Sequence, residues 1–250
     1  MFAVALAGMG AGAVNAIAGS GTLISFPTIL AVGIPSVTAN VSNNIGLVPG
    51  SMSGAYAYRR ELKGQGRRAR LLFIGSGLGS LTGSILLLRL PSDVFDNVVP
   101  ILVMTAAVLM LLQPRVAAWV AEARRNRGRE ATPEAGVLPT VICFFAGIYG
   151  GYFGAAQGII LLATLGVLLP DELARTNALK NVLAGAVNGV AAVMFVIFGH
   201  VNWLVVLLVA AGSVVGANLG ARVGKRVPVK ALRAFIVVLG FTVGLKLLLT

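Results

Sequence analysis

Charged residues occur only in short stretches of this chain, and the runs between those stretches are apolar and near the length of a bilayer crossing. Hydrophobic residues make up 57% of the 250 positions, charged residues only 11%, and the mean hydropathy is +0.91. A soluble domain carries about 25% charged residues. A run of about 20 apolar residues crosses the hydrocarbon core as a helix. The pattern therefore predicts an all-α, polytopic protein embedded in a lipid bilayer.

Ten apolar segments lie along the chain, five on each side of a polar, basic stretch. They cover residues 1–18, 22–32, 36–58, 70–89, 94–113, 138–153, 158–169, 172–199, 203–222 and 229–249. We therefore predict a first transmembrane repeat over 1–113, a basic cytoplasmic linker over 114–136 and a second transmembrane repeat over 137–250.

The two sets of five segments share short motifs in the same order. TANVSN at 38–43 aligns with TNALKN at 176–181, GSLTGS at 79–84 with GSVVGA at 212–217, LPSDVFDNVV at 90–99 with VPVKALRAFI at 227–236, and GIPS at 33–36 lies near LLPD at 168–171. The first match places Thr38 opposite Thr176 and Asn43 opposite Asn181. Four matches in one order predict an internal repeat.

The distribution of Lys and Arg predicts how the repeats are oriented. The loop 59–70 carries six of these residues, and 115–129 and 222–233 carry five each, whereas 89–93 carries one and 200–202 none. The positive-inside rule places the three basic stretches (59–70, 114–136 and 222–233) in the cytoplasm and both termini outside. The loop after the third segment is then inside in one repeat and outside in the other. The repeats are thus predicted to be inverted, as is common in secondary transporters.

The second segment of each repeat is too short to cross the bilayer and follows a small-polar turn. The segments have 11 and 12 residues, and the turns are AGSGT at 18–22 and GAAQG at 154–158. A non-helical turn at membrane depth must be buried in protein or line a wet cavity. The helix after the turn directs N–H groups and a partial positive charge toward the bilayer centre, which favours an anion. The candidate anion-binding residues here are Gly19, Ser20, Gly21, Thr22, Gln157 and Gly158.

Glycines also allow helices to pack closely, which is an alternative explanation for such turns. The stripes GSGLGSLTG at 75–83 and GSVVGANLG at 212–220 are typical of that packing role, and we assign them to it. The two turns differ from these stripes because they precede shortened segments at matched positions.

Polar residues in the third segment of each repeat are further candidates for substrate binding. Asn43 and Asn181 can donate hydrogen bonds to anion oxygens, and Thr38 and Thr176 accompany them. Lys180 is predicted near mid-depth, where an ionisable group favours a functional role. The alternatives are asparagines that join helices and a lysine that extends to the cytoplasm.

The acidic residues and the single cysteine exclude several function classes. All eight carboxylates fall in loops or at segment ends, which argues against a mid-membrane proton relay or Na⁺ site. No metal-ligand cluster or catalytic constellation is visible, so we predict neither an enzyme nor a cofactor. The net charge of +12 comes from loops without interleaved aromatic residues, so no nucleic-acid partner is expected. Cys143 alone cannot form an intrachain disulfide.

The ordered motifs resemble the TauE/SafE sulfite exporter-like permeases, also called the toluene sulfonate uptake permease family. They are a glycine-rich break ending in SFP at 25–27, its weaker counterpart after the basic linker, and GARVGKRVP at 220–228. The resemblance implies a permease for sulfite, sulfonates or similar anions in the cytoplasmic membrane. We predict a secondary transporter that works by alternating access. The alternatives are a passive anion channel and a membrane scaffold without transport.

Overall fold

The computed structural model describes residues 1–17, 19–127, 136–169, 171–223 and 229–249, and every regular element in that part of the chain is a helix. The helices are α1 Phe2–Ile17, α2 Thr22–Ala31, α3 Ser36–Ala57, α4 Gly66–Arg89, α5 Ser92–Arg127, α6 Val137–Tyr152, α7 Gln157–Leu168, α8 Leu173–Phe198, α9 Trp203–Val223 and α10 Val229–Leu249. Their bounds lie close to those of the ten predicted segments.

Helix α5 differs most from its predicted segment, because it continues through Arg127 instead of ending near residue 113. The first part of the predicted linker 114–136 is therefore helical, with Pro114 inside the helix. Residues 128–135 of the linker and 224–228 of the basic stretch 222–233 lie outside the described residues.

Four helices in the described residues are long and apolar enough to cross a membrane. They are Gly66–Arg89, Ser92–Ala123, Ala174–Phe198 and Trp203–Arg222. The helices on either side of the two glycine turns are apolar but shorter, with 10 to 17 residues each. These features confirm the predicted all-helical membrane fold.

Glycine stripes hold two helix pairs in close contact. Gly79 and Gly83 of α4 lie against the α6 backbone, and Gly212 and Gly216 of α9 lie against the α1 backbone. At each of these glycines a side-chain carbon would collide with the backbone of the neighbouring helix. The stripes therefore have the packing role that the sequence indicated.

In the first half, α1 and α2 form a hairpin that returns to the end where it starts. Helix α1 runs parallel to α9, because Gly8 packs on Val209 and Gly12 on Ser213. Helix α3 also runs parallel to α9. Its earlier residue Ser42 accepts the N–H of Asn202, just before α9, and its later residue Ser53 accepts Nδ2 of Asn218, near the end of α9. The starts of α1 and α3 are thus at the same end of the molecule, and α2 connects back to that end.

The second half repeats this arrangement around α4. Helix α6 runs parallel to α4, since Gly75 packs on Thr140 and Gly83 on Ile148. Helix α8 is parallel to α4 as well: Arg68 pairs with Asp171 just before α8, and Ser80 donates to the carbonyl of Val187 at 2.6 Å. Helices α6 and α7 therefore form a second hairpin, which returns to the end where α4 starts.

The two hairpins open toward opposite ends of the molecule, because α4 starts at the end where α3 stops. The neighbours also correspond between the halves: α1 packs on α9 as α6 packs on α4, and α2 packs on α10 as α7 packs on α5. An inverted pair of repeats requires this arrangement; the repeat itself stays a prediction.

Candidate functional site

The first hairpin turns at a glycine in the left-handed conformation. Gly19 has φ +76°, and its N–H donates to the carbonyl of Val14 at 3.0 Å, which closes the end of α1. Glycine adopts this conformation without the steric cost that other residues incur. The side chain of Asn15 then accepts the N–H of Gly21 at 2.7 Å, so α1 holds the start of α2.

The second hairpin turns in the same way but is held by a different side chain. Gly154 has φ +79°, and its N–H donates to the carbonyl of Tyr149 at 3.0 Å. Ala156 is also left-handed, with φ +61°. The hydroxyl of Tyr149 donates to the carbonyl of Ala155, where the first hairpin uses an asparagine instead.

The two turns meet inside the protein. The N–H of Gly158 donates to the carbonyl of Gly19 at 3.0 Å. Each of these glycines lies so close to the other's backbone that a side-chain carbon on either would collide with it. Phe26 of α2 packs edge-on against Phe153 at the second turn, with ring centroids 5.3 Å apart. The hairpin tips thus form one continuous contact.

Backbone N–H groups at the starts of α2 and α7 are less available than the sequence suggested. The N–H of Gly21 is bonded to Asn15, that of Gln157 to the carbonyl of Gly154 at 3.3 Å, and that of Gly158 to Gly19. Partners within and between the turns satisfy these three groups, because an unpaired buried backbone N–H is costly. Fewer bare N–H groups are therefore available to an anion, and side-chain donors and the helix dipoles provide further recognition.

A small cavity lies beside the meeting point of the hairpins. Its volume of about 30 Å³ holds roughly two water molecules. It is lined by Asn15, Ala16, Gly19, Thr22, Gly50, Ser51, Gly54, Gly154, Gln157, Gly158, Asn181, Ala184 and Asn188. The wall combines neutral polar side chains with small residues and contains no carboxylate.

Two amide groups of the wall lack partners within the described part of the chain. They are Nε2 of Gln157 and Nδ2 of Asn181, both buried. Two further wall residues are bonded to each other, because Nδ2 of Asn188 donates to Oγ of Ser51 at 3.3 Å. A buried donor without a partner costs about 1–3 kcal/mol, so these amides favour a guest that accepts hydrogen bonds.

Five of the eleven predicted site residues line this cavity: Gly19, Thr22, Gln157, Gly158 and Asn181. The other six, Ser20, Gly21, Thr38, Asn43, Thr176 and Lys180, lie outside its wall. Ser20 donates to Sδ of Met110 at 3.1 Å, and Thr176 donates to the carbonyl of Glu172 at 3.1 Å in its own helix turn. Thr38 is partly buried near the start of α3, and Asn43 is buried with Oδ1 unpaired.

Lys180 is fully buried and contacts the first hairpin. Its Nζ donates to the carbonyl of Asn15 at 3.1 Å, in the last turn of α1. A cation at a helix C-terminus interacts favourably with the helix dipole. Lys180 therefore neither lines the cavity nor reaches the protein surface. It contacts the cavity wall only indirectly, since it bonds to the backbone of the wall residue Asn15 and precedes the wall residue Asn181 in sequence.

An asparagine from the other half of the chain bonds to the end of the first helix of each hairpin. Asn40 of α3 donates to the carbonyl of Tyr152 at 2.9 Å, and Asn177 of α8 donates to that of Ala16 at 3.5 Å. Each hairpin is thus held by a helix of the opposite half.

Sequence reasoning missed three polar wall residues, Asn15, Ser51 and Asn188. Asn15 and Asn188 each stand in a largely apolar run, which was a usable signal because amides in membrane helices face the protein interior. No cluster of His, Cys, Asp or Glu that could hold a metal ion occurs among the described residues.

Comparison with known proteins identifies the family. A family model described as sulfite exporter TauE/SafE matches residues 4–247. A probable membrane transporter protein of Haemophilus influenzae is 26% identical over 234 residues, covering 94% of this chain and 89% of the relative. The probable membrane transporter protein YfcA of Escherichia coli K12 is 28% identical over 242 residues, covering 95% and 86%. No solved structure matches.

A third similar protein is the probable membrane transporter protein YdhB of Bacillus subtilis, 25% identical over 232 residues with 92% and 91% of the two chains covered. These relatives and the family model confirm the resemblance that the ordered motifs indicated. Since the family match spans nearly the whole chain, the protein belongs to the sulfite exporter TauE/SafE family of membrane transporters.

Proposed function

We propose that this protein is a secondary transporter that moves a small sulfur-containing or organic anion, such as sulfite or a sulfonate, across the cytoplasmic membrane. The observation that carries the proposal is the cavity beside the hairpin tips, whose wall has amide donors without partners among the described residues and no acidic residue. Oxyanions accept several hydrogen bonds at once, and they match a wall of this chemistry.

Electrostatics around the cavity also favour an anion. Helices α2 and α7 both begin at the hairpin tips, so their positive dipole ends face this region from opposite sides. Lys180, when protonated, places a buried positive charge next in sequence to Asn181 of the wall. In a low-dielectric interior such a charge acts over a longer distance than it does in water.

The volume of the cavity supports alternating access. The cavity has space for about two waters, and we propose that the helices around it move apart to admit a sulfite ion. At the end where α4 and α8 start, Asp171 pairs with both Arg68 and Arg175. We propose that these ion pairs close this end in the conformation described here, and that the opposite end closes in the alternative conformation.

We assign the end with these pairs to the cytoplasm, because it carries the basic loop 59–70. The basic stretches 114–136 and 222–233 are assigned to the same side by the positive-inside rule. Both termini are then outside the cell.

Counterflow in proteoliposomes tests the function. Purified protein is reconstituted and loaded with unlabelled sulfite or methanesulfonate, and uptake of the labelled anion is followed. Unlabelled anion inside the vesicles accelerates the uptake of labelled anion by a carrier, whereas it does not accelerate uptake through an open channel. Absence of saturable flux for sulfite, sulfate, sulfonates and carboxylates would leave the scaffold as the better explanation.

A further inference from the structure

A second cavity lies between α5, α7 and α10, and its wall shares no residue with that of the first. Its volume is about 220 Å³. It is lined by Ile17, Gln113, Pro114, Val116, Ala117, Val120, Ile159, Leu162, Ala163 and Arg233. Apart from Arg233 and the amide of Gln113, the wall is apolar.

Arg233 has an incomplete set of partners in this cavity. Its terminal nitrogen contacts Oε1 of Gln113 at 3.4 Å, and its buried Nε has no hydrogen-bond partner among the described residues. No carboxylate belongs to the wall. A guanidinium presents five donors in a planar fork that matches an oxyanion, so most of this capacity is available to a guest.

The second cavity adjoins the first. Ile17 and Ile159 line the second cavity, and the residues directly before them, Ala16 and Gly158, line the first. Only the two hairpin tips separate the cavities at this point. The bond between the Gly158 N–H and the Gly19 carbonyl belongs to this partition. If the hairpin tips separate here, an anion held by Arg233 can therefore pass into the central cavity.

The predicted repeat alignment pairs Arg233 with a residue of opposite charge. In the alignment of 90–99 with 227–236, Asp96 stands opposite Arg233. Asp96 accepts a hydrogen bond from the hydroxyl of Ser36. The predicted counterpart of Arg233 is thus acidic, and we expect a site built on Arg233 to act from one side of the membrane.

We propose that Arg233 and Gln113 form a second anion site, which receives an anionic head group with an apolar portion before it reaches the central cavity. Arg233 binds the head group, Gln113 orients the guanidinium, and the apolar wall accommodates an alkyl or aryl portion. The placement on a transport route rests on the proposed function, whereas binding of the anion does not. An alkanesulfonate and the head group of an anionic phospholipid share this chemistry.

Binding is tested on the purified full-length protein with butanesulfonate as the probe. We expect Arg233→Gln to raise the concentration that gives a half-maximal thermal shift about tenfold, and Arg233→Lys to raise it less. Arg222→Gln is the matched control, because Arg222 is an exposed basic residue outside this wall. Equal behaviour of Arg233→Gln and Arg222→Gln would overturn the site, provided both variants elute as folded protein.

Two further measurements separate the source of the anion and its role. Native mass spectrometry measures how much phosphatidylglycerol the wild-type protein and Arg233→Gln retain. If Arg233→Gln retains less lipid but binds butanesulfonate normally, Arg233 still forms an anion site, and its ligand is the lipid head group. In proteoliposomes of defined orientation, a transport role predicts that Arg233→Gln raises the half-saturating butanesulfonate concentration from one side only. If wild-type protein shows no flux, the proposed function fails while the binding result still decides the site.

Discussion

The carbonyl of Gly19 accepts the backbone N–H of Gly158 at 3.0 Å, so the tips of two hairpins from different halves of the chain are bonded to each other. Neither residue can carry a side chain without a collision with the other's backbone. Because both glycines line the central cavity, we expect a movement that admits an anion to break this contact. Under the proposed function, packing and transport would therefore depend on the same two residues.

We expect Gly19→Ala to abolish flux while the protein still inserts and folds. The substitution introduces strain at φ +76° and pushes the tips apart. Gly33→Ala is the matched control: Gly33 has φ +88° in a loop, with open space where the new carbon would lie. Both variants incur about 1–2 kcal/mol of backbone strain, so only the contact between tips distinguishes them. Similar flux in the two variants would contradict a role for this contact.

Asn181→Ala is expected to weaken anion binding about tenfold with little loss of thermal stability. Its Nδ2 has no hydrogen-bond partner in the described part of the chain, so the substitution removes a donor to the guest without breaking a bond seen there. Asn218→Ala serves as comparison, because Nδ2 of Asn218 donates to Oγ of Ser53 at 2.7 Å. That variant should lose stability and keep its affinity. Thermal-shift titration with sulfite measures both quantities, and the reverse pattern would assign Asn181 to structure alone.

Hydropathy and charge were sufficient to predict the helices and the hairpin turns. The bilayer leaves few choices for an apolar segment, because each backbone group must be paired within a helix. A glycine turn before a segment of 11 or 12 residues also has few alternatives. Helix α5 was the exception: its last part is polar, and only the structure shows that it continues through Pro114.

The content of the site was harder to predict, because it depends on which face of each helix meets the cavity. Lys180 and Asn181 are adjacent in sequence, yet Asn181 lines the wall and Lys180 bonds to the carbonyl of Asn15. Three of the N–H groups expected to be free at the turns are paired, as in the bond from Gly21 to Asn15. Such local pairing follows from turn geometry, which periodicity does not encode.

Asp171→Asn should open the end of the molecule where α4 and α8 start. It removes the charge that pairs with Arg68 and Arg175. A loss of about 1 kcal/mol changes the population of an open conformation roughly fivefold. The measurement is the labelling rate of Ser51→Cys in the cavity wall by an impermeant maleimide, in a Cys143→Ala background.

The control for this experiment is Asp93→Asn, since Asp93 is exposed and contacts only its neighbour Ser92 among the described residues. Its labelling rate should equal that of the parent protein. An unchanged rate in Asp171→Asn would mean that the two arginine pairs do not restrict access to the cavity. Faster labelling in both variants would assign the effect to a general loosening of the fold.

Lys180→Met separates a structural from a functional role for the buried charge. Lys180 is fully buried with no ion pair among the described residues, and its amine is bonded to one carbonyl. A buried charge of this kind costs several kcal/mol, so an apolar side chain of similar length should preserve the thermal midpoint or raise it. If the charge serves anion binding, the same variant should bind sulfite at least about tenfold more weakly, because the field next to Asn181 is lost. Lys63→Met is the control and should change neither quantity, because Lys63 is at an exposed loop position. A Lys180→Met protein that binds sulfite normally but unfolds at a lower temperature would show that the amine only stabilises the end of α1.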